Sequence, residues 1–208
     1  MKLRQQIVLI VITVLMSACS SQKPMPAVDY VDLERFMGDW YVIANIPTFL
    51  EKDAYNPVES YRLDSDGSVA TTFSFNAGSL RGEEKIYNPR GFITDKSSNA
   101  IWGMQFVWPI KADYRIVYLD DAYQQTIIGR NSRDYVWIMA RTAQISDQDY
   151  SSLVSRVSEL GYDIKLLQKA VHTVSKPVSL PEAINVEKIE YSAITRGKSE
   201  RAVLHKGR

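Results

Sequence analysis

The sequence predicts an all-β fold, an eight-stranded antiparallel up-and-down barrel followed by one C-terminal amphipathic helix. Two observations predict it. Short apolar-rich runs alternate with Gly, Pro, Asn and Asp turn signals through most of the chain, with no long crossover between them. A single segment near the end then takes up the helical period. Antiparallel strands in sequence order favour closure, because closure removes both exposed sheet edges. With eight strands the interior can hold side chains or one small ligand.

Taken in order, residues 32–37 (Asp-Leu-Glu-Arg-Phe-Met) predict a single helical turn, and residues 38–46 the first strand. Strands at 58–63 and 69–75 flank Asp64-Ser65-Asp66-Gly67, where Asp-Gly readily supplies the positive φ a hairpin turn needs. Residues 83–94 form one longer strand, bent where Asn88-Pro89 forbids regular pairing. Strands at 100–108 (ended by Pro109), 114–119, 124–128 and 135–141 complete the meander, with polar turns at Asp120-Asp121 and 129–133. Ser146 caps the helix, and Asp147 and Asp149 lie in its positive first turn. Tyr150, Leu153, Val154, Val157 and Leu160 share one face, and Gly161 ends the helix. Such a helix lies against the outside of the barrel, with a further turn at 163–167.

The first 18 residues are an address rather than part of the fold. Lys2 and Arg4 precede an apolar run of about 12 residues, shorter than the roughly 20 a membrane-spanning helix needs. The run ends in Leu15-Met16-Ser17-Ala18-Cys19, which resembles a bacterial lipobox, although Met16 stands where leucine is commoner. Cys19 is the only cysteine in the chain, so no intrachain disulfide can form. The resemblance implies cleavage after Ala18, lipidation of Cys19 and membrane attachment through that lipid. Ser20, next to the cysteine, goes with export to the bacterial outer membrane. Residues 19–28, with Pro24 and Pro26, form a tether too polar and broken to join a core.

Residues 29–172 make one barrel domain. Residues 173–208 contain Pro177 and Pro181, lack a steady period and end in a basic run (Arg196, Lys198, Arg201, Lys206, Arg208), the composition of a disordered extension. The 25 Lys+Arg nearly balance the 24 Asp+Glu, and the leader holds two of the basic residues, so the remainder is near neutral and gives no electrostatic case for nucleic acid. Catalytic signals are lacking as well. The two histidines, His172 and His205, follow the strands, and no zinc, redox, nucleophile-elbow or phosphate-loop motif occurs. Neither a cofactor nor a metal is implied, and the expectation is a protein that is not an enzyme. The sequence leaves the oligomeric state open, a homodimer included.

Three motifs give the body a family resemblance. Gly38-Asp39-Trp40-Tyr41 fits the G-x-W motif of the lipocalins, behind a turn ending Arg35-Phe36-Met37. Ala112-Asp113-Tyr114 resembles the second motif, T-D-Y, with Tyr118 four residues on and alanine in place of threonine. Arg141-Thr142 resembles the third. The stretches 133–138 and 145–147 are similar to the bacterial outer-membrane lipocalins. The resemblance implies that Trp40 plugs the closed end of the barrel with Arg141 packed across its ring, so that Gly38, Trp40 and Arg141 serve the fold.

If Trp40 and Arg141 mark the closed end, strand alternation assigns the inward faces. Val42 and Ala44 face inward on the first strand, and Val69, Thr71, Phe73 and Phe75 on the third. Trp102, Met104, Phe106 and Trp108 form another row, then Tyr114, Ile116 and Tyr118, then Tyr135, Trp137 and Met139. Either these side chains fill a solid core, which would overpack a small barrel at about 1–3 kcal/mol per misfit, or they wall a cavity. An aromatic cavity with the hydroxyls of Tyr114, Tyr118 and Tyr135 suits an acyl chain with a polar end. The resemblance implies a fatty acid or lysophospholipid, stored or transported in the bacterial envelope. A tetrapyrrole-like ligand and a structural tether acting through the tail are the alternatives. Trp102 and Trp108 also fit a place at the mouth, facing a membrane.

Overall fold

A computed structural model describes residues 23–173. The leader, Cys19 and the basic extension lie outside the described residues. The chain enters through one helical turn, α1 (Leu33–Phe36), where the Asp32 side chain accepts from the Glu34 and Arg35 N–H groups at 3.1 and 3.3 Å. Gly38, at φ +91°, turns it into β1 (Gly38–Ile46).

The strands then follow in order: β2 (Ala54–Leu63), β3 (Ser68–Ala77), β4 (Glu84–Tyr87), β5 (Arg90–Ile93), β6 (Ile101–Val107), β7 (Ile110–Leu119), β8 (Gln125–Gly129) and β9 (Val136–Ala140). Each pairs antiparallel with its neighbour, and β9 returns to β1 from Tyr41↔Ala140 to Ile46↔Val136, closing the barrel. β4 and β5 both pair with β3 on either side of Asn88-Pro89 and act as one bent stave, so the barrel has eight. β2 starts four residues before the predicted point. The breaker pair Asn56-Pro57 is accommodated at an irregularity between Tyr55 and Val58, with Asn56 at φ +52°.

The helix α2 (Asp147–Glu159) is capped by Ser146, whose oxygen accepts from the Asp149 N–H at 3.0 Å, and Gly161 ends it at φ +90°. A 3₁₀ turn (Ile164–Leu166) leads to β10 (Gln168–Lys169). β1 pairs with β2 only over Gly38–Tyr41, and β10 takes the vacated edge at Ala44 and Asn45. The Ala170 N–H to Ile43 O bond (2.9 Å) and the His172 Nε2 contact with Val42 O (2.8 Å) extend this seal.

Two apolar clusters hold the structure. One fills the closed half of the barrel and includes Phe36, Trp40, Val42, Trp102, Ile116 and Met139. The other lies between the barrel wall and α2, where Leu153 and Val157 bury against Ile43, Ala44, Ile127, Val136 and Ile138. Each fully buried side chain there is worth about 1.5–3 kcal/mol.

This second cluster corrects two sequence expectations. Between Val42↔Met139 and Ala44↔Ile138 the register slips by one residue, a bulge at Ile43 that turns Ala44 to the helix side. A slip between Ile116↔Ile128 and Tyr118↔Ile127 does the same to Tyr118, whose ring lies 4.3 Å under the Arg156 guanidinium of α2. Neither side chain faces the interior.

Candidate functional site: a cavity above an aromatic plug

The closed end is built from five packed aromatic rings. Phe36 lies 5.1 Å from Trp40, 5.7 Å from Tyr61 and 5.7 Å from Trp102, and Trp102 stacks on Tyr114 at 5.2 Å. The Trp40 and Trp102 ring N–H groups donate to the Phe36 and Asn99 carbonyls at 2.8 and 2.7 Å. Arg141 caps the plug, its guanidinium carbon 3.8 Å from the Trp40 ring centre. The same group donates to the Asp39, Arg35 and Phe36 carbonyls at 2.8, 2.8 and 3.0 Å. A planar cation with five donors can cover a ring and satisfy the end of α1 at once.

Above the plug the barrel opens into a cavity of about 540 Å³. Glu59, Thr71, Met104 and Tyr114 form its floor, Phe73, Tyr87, Ala112 and Trp137 its walls, and Phe49, Leu50, Phe106, Val107, Ile110, Arg130 and Tyr135 its rim. Of the predicted inward residues, Phe73, Met104, Phe106, Tyr114, Tyr135 and Trp137 line this space. Val42, Trp102, Ile116 and Met139 belong to the plug beneath it. Phe75 is buried beside the wall, between Phe73 at 5.3 Å and Tyr87 at 6.2 Å.

Sequence reasoning missed the acidic groups. Glu59 stands on β2 opposite Trp40 and Phe73, so cross-strand register turns it inward. Tyr61 donates its hydroxyl proton to Glu59 Oε2, and the Tyr61 and Tyr114 hydroxyls meet at 2.7 Å. The surface Glu59 leaves accessible opens onto the cavity. Desolvation therefore pushes its carboxyl up to about 7, opposed by the Tyr61 hydrogen bond, while the Glu51 charge adds to the rise. Burial, followed by the Glu59 charge, holds the Tyr61 and Tyr114 phenols well above their ordinary value. Glu51 sits at the wall, accepting from Trp137 Nε1 and the Thr48 N–H at 2.8 Å each. The signal for Glu59 lay in its separation from Tyr61, a period-2 partner on the same strand.

Two lining residues also carry covered polar atoms without partners. Thr71 Oγ1 and Arg130 Nε, both on lining residues, are buried and unbonded. Arg130 is otherwise tied to Asp134 at 3.2 Å. No lysine, cysteine, serine or histidine stands in the lining. His172 is the histidine among the described residues, and it lies 5.8 Å from Tyr41 at the barrel seam.

The mouth is apolar on its outer lip. Trp108 is 82% exposed at the turn between β6 and β7, with Phe49, Val107 and Ile110 exposed beside the opening, whereas Trp102 is buried in the plug. The amino-terminal segment reaches this end too, and Met25, buried in the cluster beneath α2, corrects the expectation that residues 19–28 are too polar and broken to join a core. Met25 N–H donates to Asn131 Oδ1 at 2.8 Å, and Arg133 donates to the Lys23 carbonyl at 3.0 Å, both in the β8–β9 loop that carries Arg130.

The chain is similar to known proteins. A Lipocalin-like domain matches residues 31–172. Temperature-induced lipocalin-1 of Arabidopsis thaliana is 33% identical over 169 residues, 77% of this chain and 89% of that one. Outer membrane lipoprotein Blc of Escherichia coli K12 is 28% identical over 153 residues, 72% and 86% of the two chains. Among solved structures, insecticyanin of the tobacco hornworm Manduca sexta superposes with a TM-score of 0.58 at 15% identity, over 74% of this chain and 87% of that one. Lobster apocrustacyanin A1 does so at 0.55 and 13% identity, over 76% and 96%. These two likenesses concern the fold alone. With its Trp40–Arg141 plug, its eight staves and a domain match over most of its length, the chain belongs to the lipocalin family.

Proposed function

We propose that this lipocalin is a lipid carrier of the bacterial envelope, anchored at the outer membrane through Cys19 and taking one fatty acid or lysophospholipid into its cavity. The observation that carries the reading is the cavity itself, about 540 Å³ behind aromatic walls. That is the size and lining of sites that bury most of a small apolar ligand. The Arg130 guanidinium in the lining suits the anionic head of such a lipid. Among the described residues the lining holds no serine, cysteine, lysine or histidine, and the Tyr114, Tyr61 and Glu59 groups are bonded to one another, which favours carriage over catalysis.

The anchoring part draws support from position. Lys23 leaves the barrel beside the mouth, and Cys19 is four residues away, a reach of at most about 14 Å. A lipid on Cys19 would hold the apolar lip around Trp108 near the bilayer, where ligand can enter without crossing water.

Native mass spectrometry of the purified protein titrated with fatty acids and lysophospholipids tests the carrier reading. One acyl ligand per barrel is expected, lost when Trp137 is replaced by a charged residue. A folded protein that binds none of them would overturn it. Visible absorbance of the purified protein would instead favour a tetrapyrrole-like ligand.

A further inference from the structure

The floor of the cavity is polar although its walls are apolar. Tyr61 gives its proton to Glu59 Oε2, so the Tyr61 oxygen accepts from the Tyr114 hydroxyl 2.7 Å away. Both phenolic protons are thereby spent inside the chain Tyr114→Tyr61→Glu59. What remains towards the cavity is lone pairs: those of Tyr114 Oη and of Glu59 Oε1, which has no protein partner among the described residues. Beside them, covered by its neighbours, is the unpartnered Thr71 hydroxyl, which a ligand reaches when the side chain turns towards the cavity.

The other charged groups around the cavity are already engaged. Glu51 is held by Trp137 and Thr48. Asp113 is bridged by Arg115 at 3.0 Å, and Arg130 is paired to Asp134 at the rim. Among the described residues no cation faces Glu59. The remaining titratable neighbours, Tyr61, Tyr87 and Tyr114, are phenols.

We propose that this floor is a subsite for a hydrogen-bond donor, a hydroxyl or a protonated amine carried on the inner end of the ligand. The inference rests on the carrier reading and narrows its substrate class. A methyl terminus reaching the floor leaves the Thr71 hydroxyl and the Glu59 lone pairs unmatched in a desolvated site. A carboxylate terminus meets Glu59 as a like charge. A hydroxyl satisfies Thr71 and Glu59 together, and an ammonium adds charge pairing once Glu59 is ionised. A polar site rejects an analogue lacking the matching group more strongly than an apolar pocket rejects an added one. The preferred ligand is thus an amphiphile polar at both ends, or one that enters with an alcohol or amine first.

The test uses one chain length with four ends: lauric acid, ω-hydroxylauric acid, dodecanol and dodecylamine. Each is titrated into the purified protein by displacement of an environment-sensitive fluorophore. The hydroxy acid is expected to bind about tenfold or more tightly than lauric acid, and Thr71→Val to erase most of that advantage. Because Thr71 Oγ1 has no partner, Thr71→Val should keep the fold, which near-ultraviolet circular dichroism checks. Glu59→Gln keeps an acceptor, so it should retain much of the dodecanol affinity while dodecylamine weakens about tenfold at pH 8.

The dodecylamine response separates a donor subsite from mere tolerance of polarity. Its affinity should rise between pH 5.5 and 8 in the native protein and stay flat in Glu59→Gln. Equal affinities for lauric acid and its hydroxy derivative, or an advantage that survives in Thr71→Val, would overturn the floor subsite and leave the carrier reading standing. Failure of all four ligands to displace the probe would overturn both.

Discussion

The two ends of this barrel are made of similar residues and differ in how completely their polar atoms are satisfied. At the closed end Trp40, Trp102 and Phe36 are packed to near-zero exposure, and both tryptophan N–H groups and the Arg141 guanidinium donate to named carbonyls. At the open end Trp137, Phe73 and Tyr135 surround space, and Thr71 and Arg130 keep atoms with no partner. A region that stabilises the fold spends its hydrogen bonds internally. A region that receives a ligand leaves some unspent, at a cost to stability. Substitutions at the closed end should therefore act on stability, and those at the open end on binding.

The largest expected effect is at the plug. Trp40→Ala should cost about 3–5 kcal/mol in urea denaturation, because the ring is fully buried and its cavity cannot collapse around a cyclic barrel. A cost under about 1 kcal/mol would erase the distinction between the two ends. Arg141→Lys should cost about 2 kcal/mol by the same measurement, since a lysine cannot cover the ring and reach three carbonyls together.

The open end gives smaller shifts. Trp137→Ala is expected to lower the unfolding free energy by about 1 kcal/mol or less in urea denaturation while lowering acyl-ligand affinity at least tenfold. Glu59 gives a pH signature. Its folded carboxyl sits at about 7 against an ordinary 4.5, so the folded chain holds that proton more tightly than the unfolded chain does. The stabilisation is complete below about pH 4.5 and is lost as pH rises through 7. Glu59→Gln should therefore gain stability relative to the native protein across that interval, read from urea midpoints at several pH values. Parallel midpoint curves for the two proteins would mean that Glu59 is solvated like a surface carboxylate. The smallest effect is at the lip. Trp108→Ser should leave stability within about 0.5 kcal/mol, because the ring is 82% exposed, and should reduce co-sedimentation with phospholipid vesicles. Unchanged sedimentation would detach the lip from membrane loading.

Much of the fold was legible along the chain because its signals are local. Asp64-Ser65-Asp66-Gly67 makes the β2–β3 turn, with Gly67 at φ +80°, and Asn88-Pro89 breaks one stave into β4 and β5. Ser146 and Gly161 mark the ends of α2 because capping depends on a few adjacent residues. The pairing of Trp40 with Arg141 came from motif resemblance, and in the structure the guanidinium carbon lies 3.8 Å from the ring centre.

The site was less legible, for a physical reason visible in Ala44 and Tyr118. Around their bulges, over residues 40–44 of β1 and 116–119 of β7, the strands are apolar on both faces, one turned to the interior and the other towards α2 and its neighbours. Alternation then carries no polar-against-apolar contrast, and a one-residue bulge at Ile43 or Val117 leaves no mark in the sequence. Glu59 looks like any strand glutamate until register sets it opposite Trp40 and Phe73. The sequence by itself determined most of the staves, the turns and the helix with its caps, because each follows from neighbours within a few positions. Only the tertiary structure decided which side chains share the cavity and that its floor is polar, because those depend on pairings between strands that local pattern does not encode.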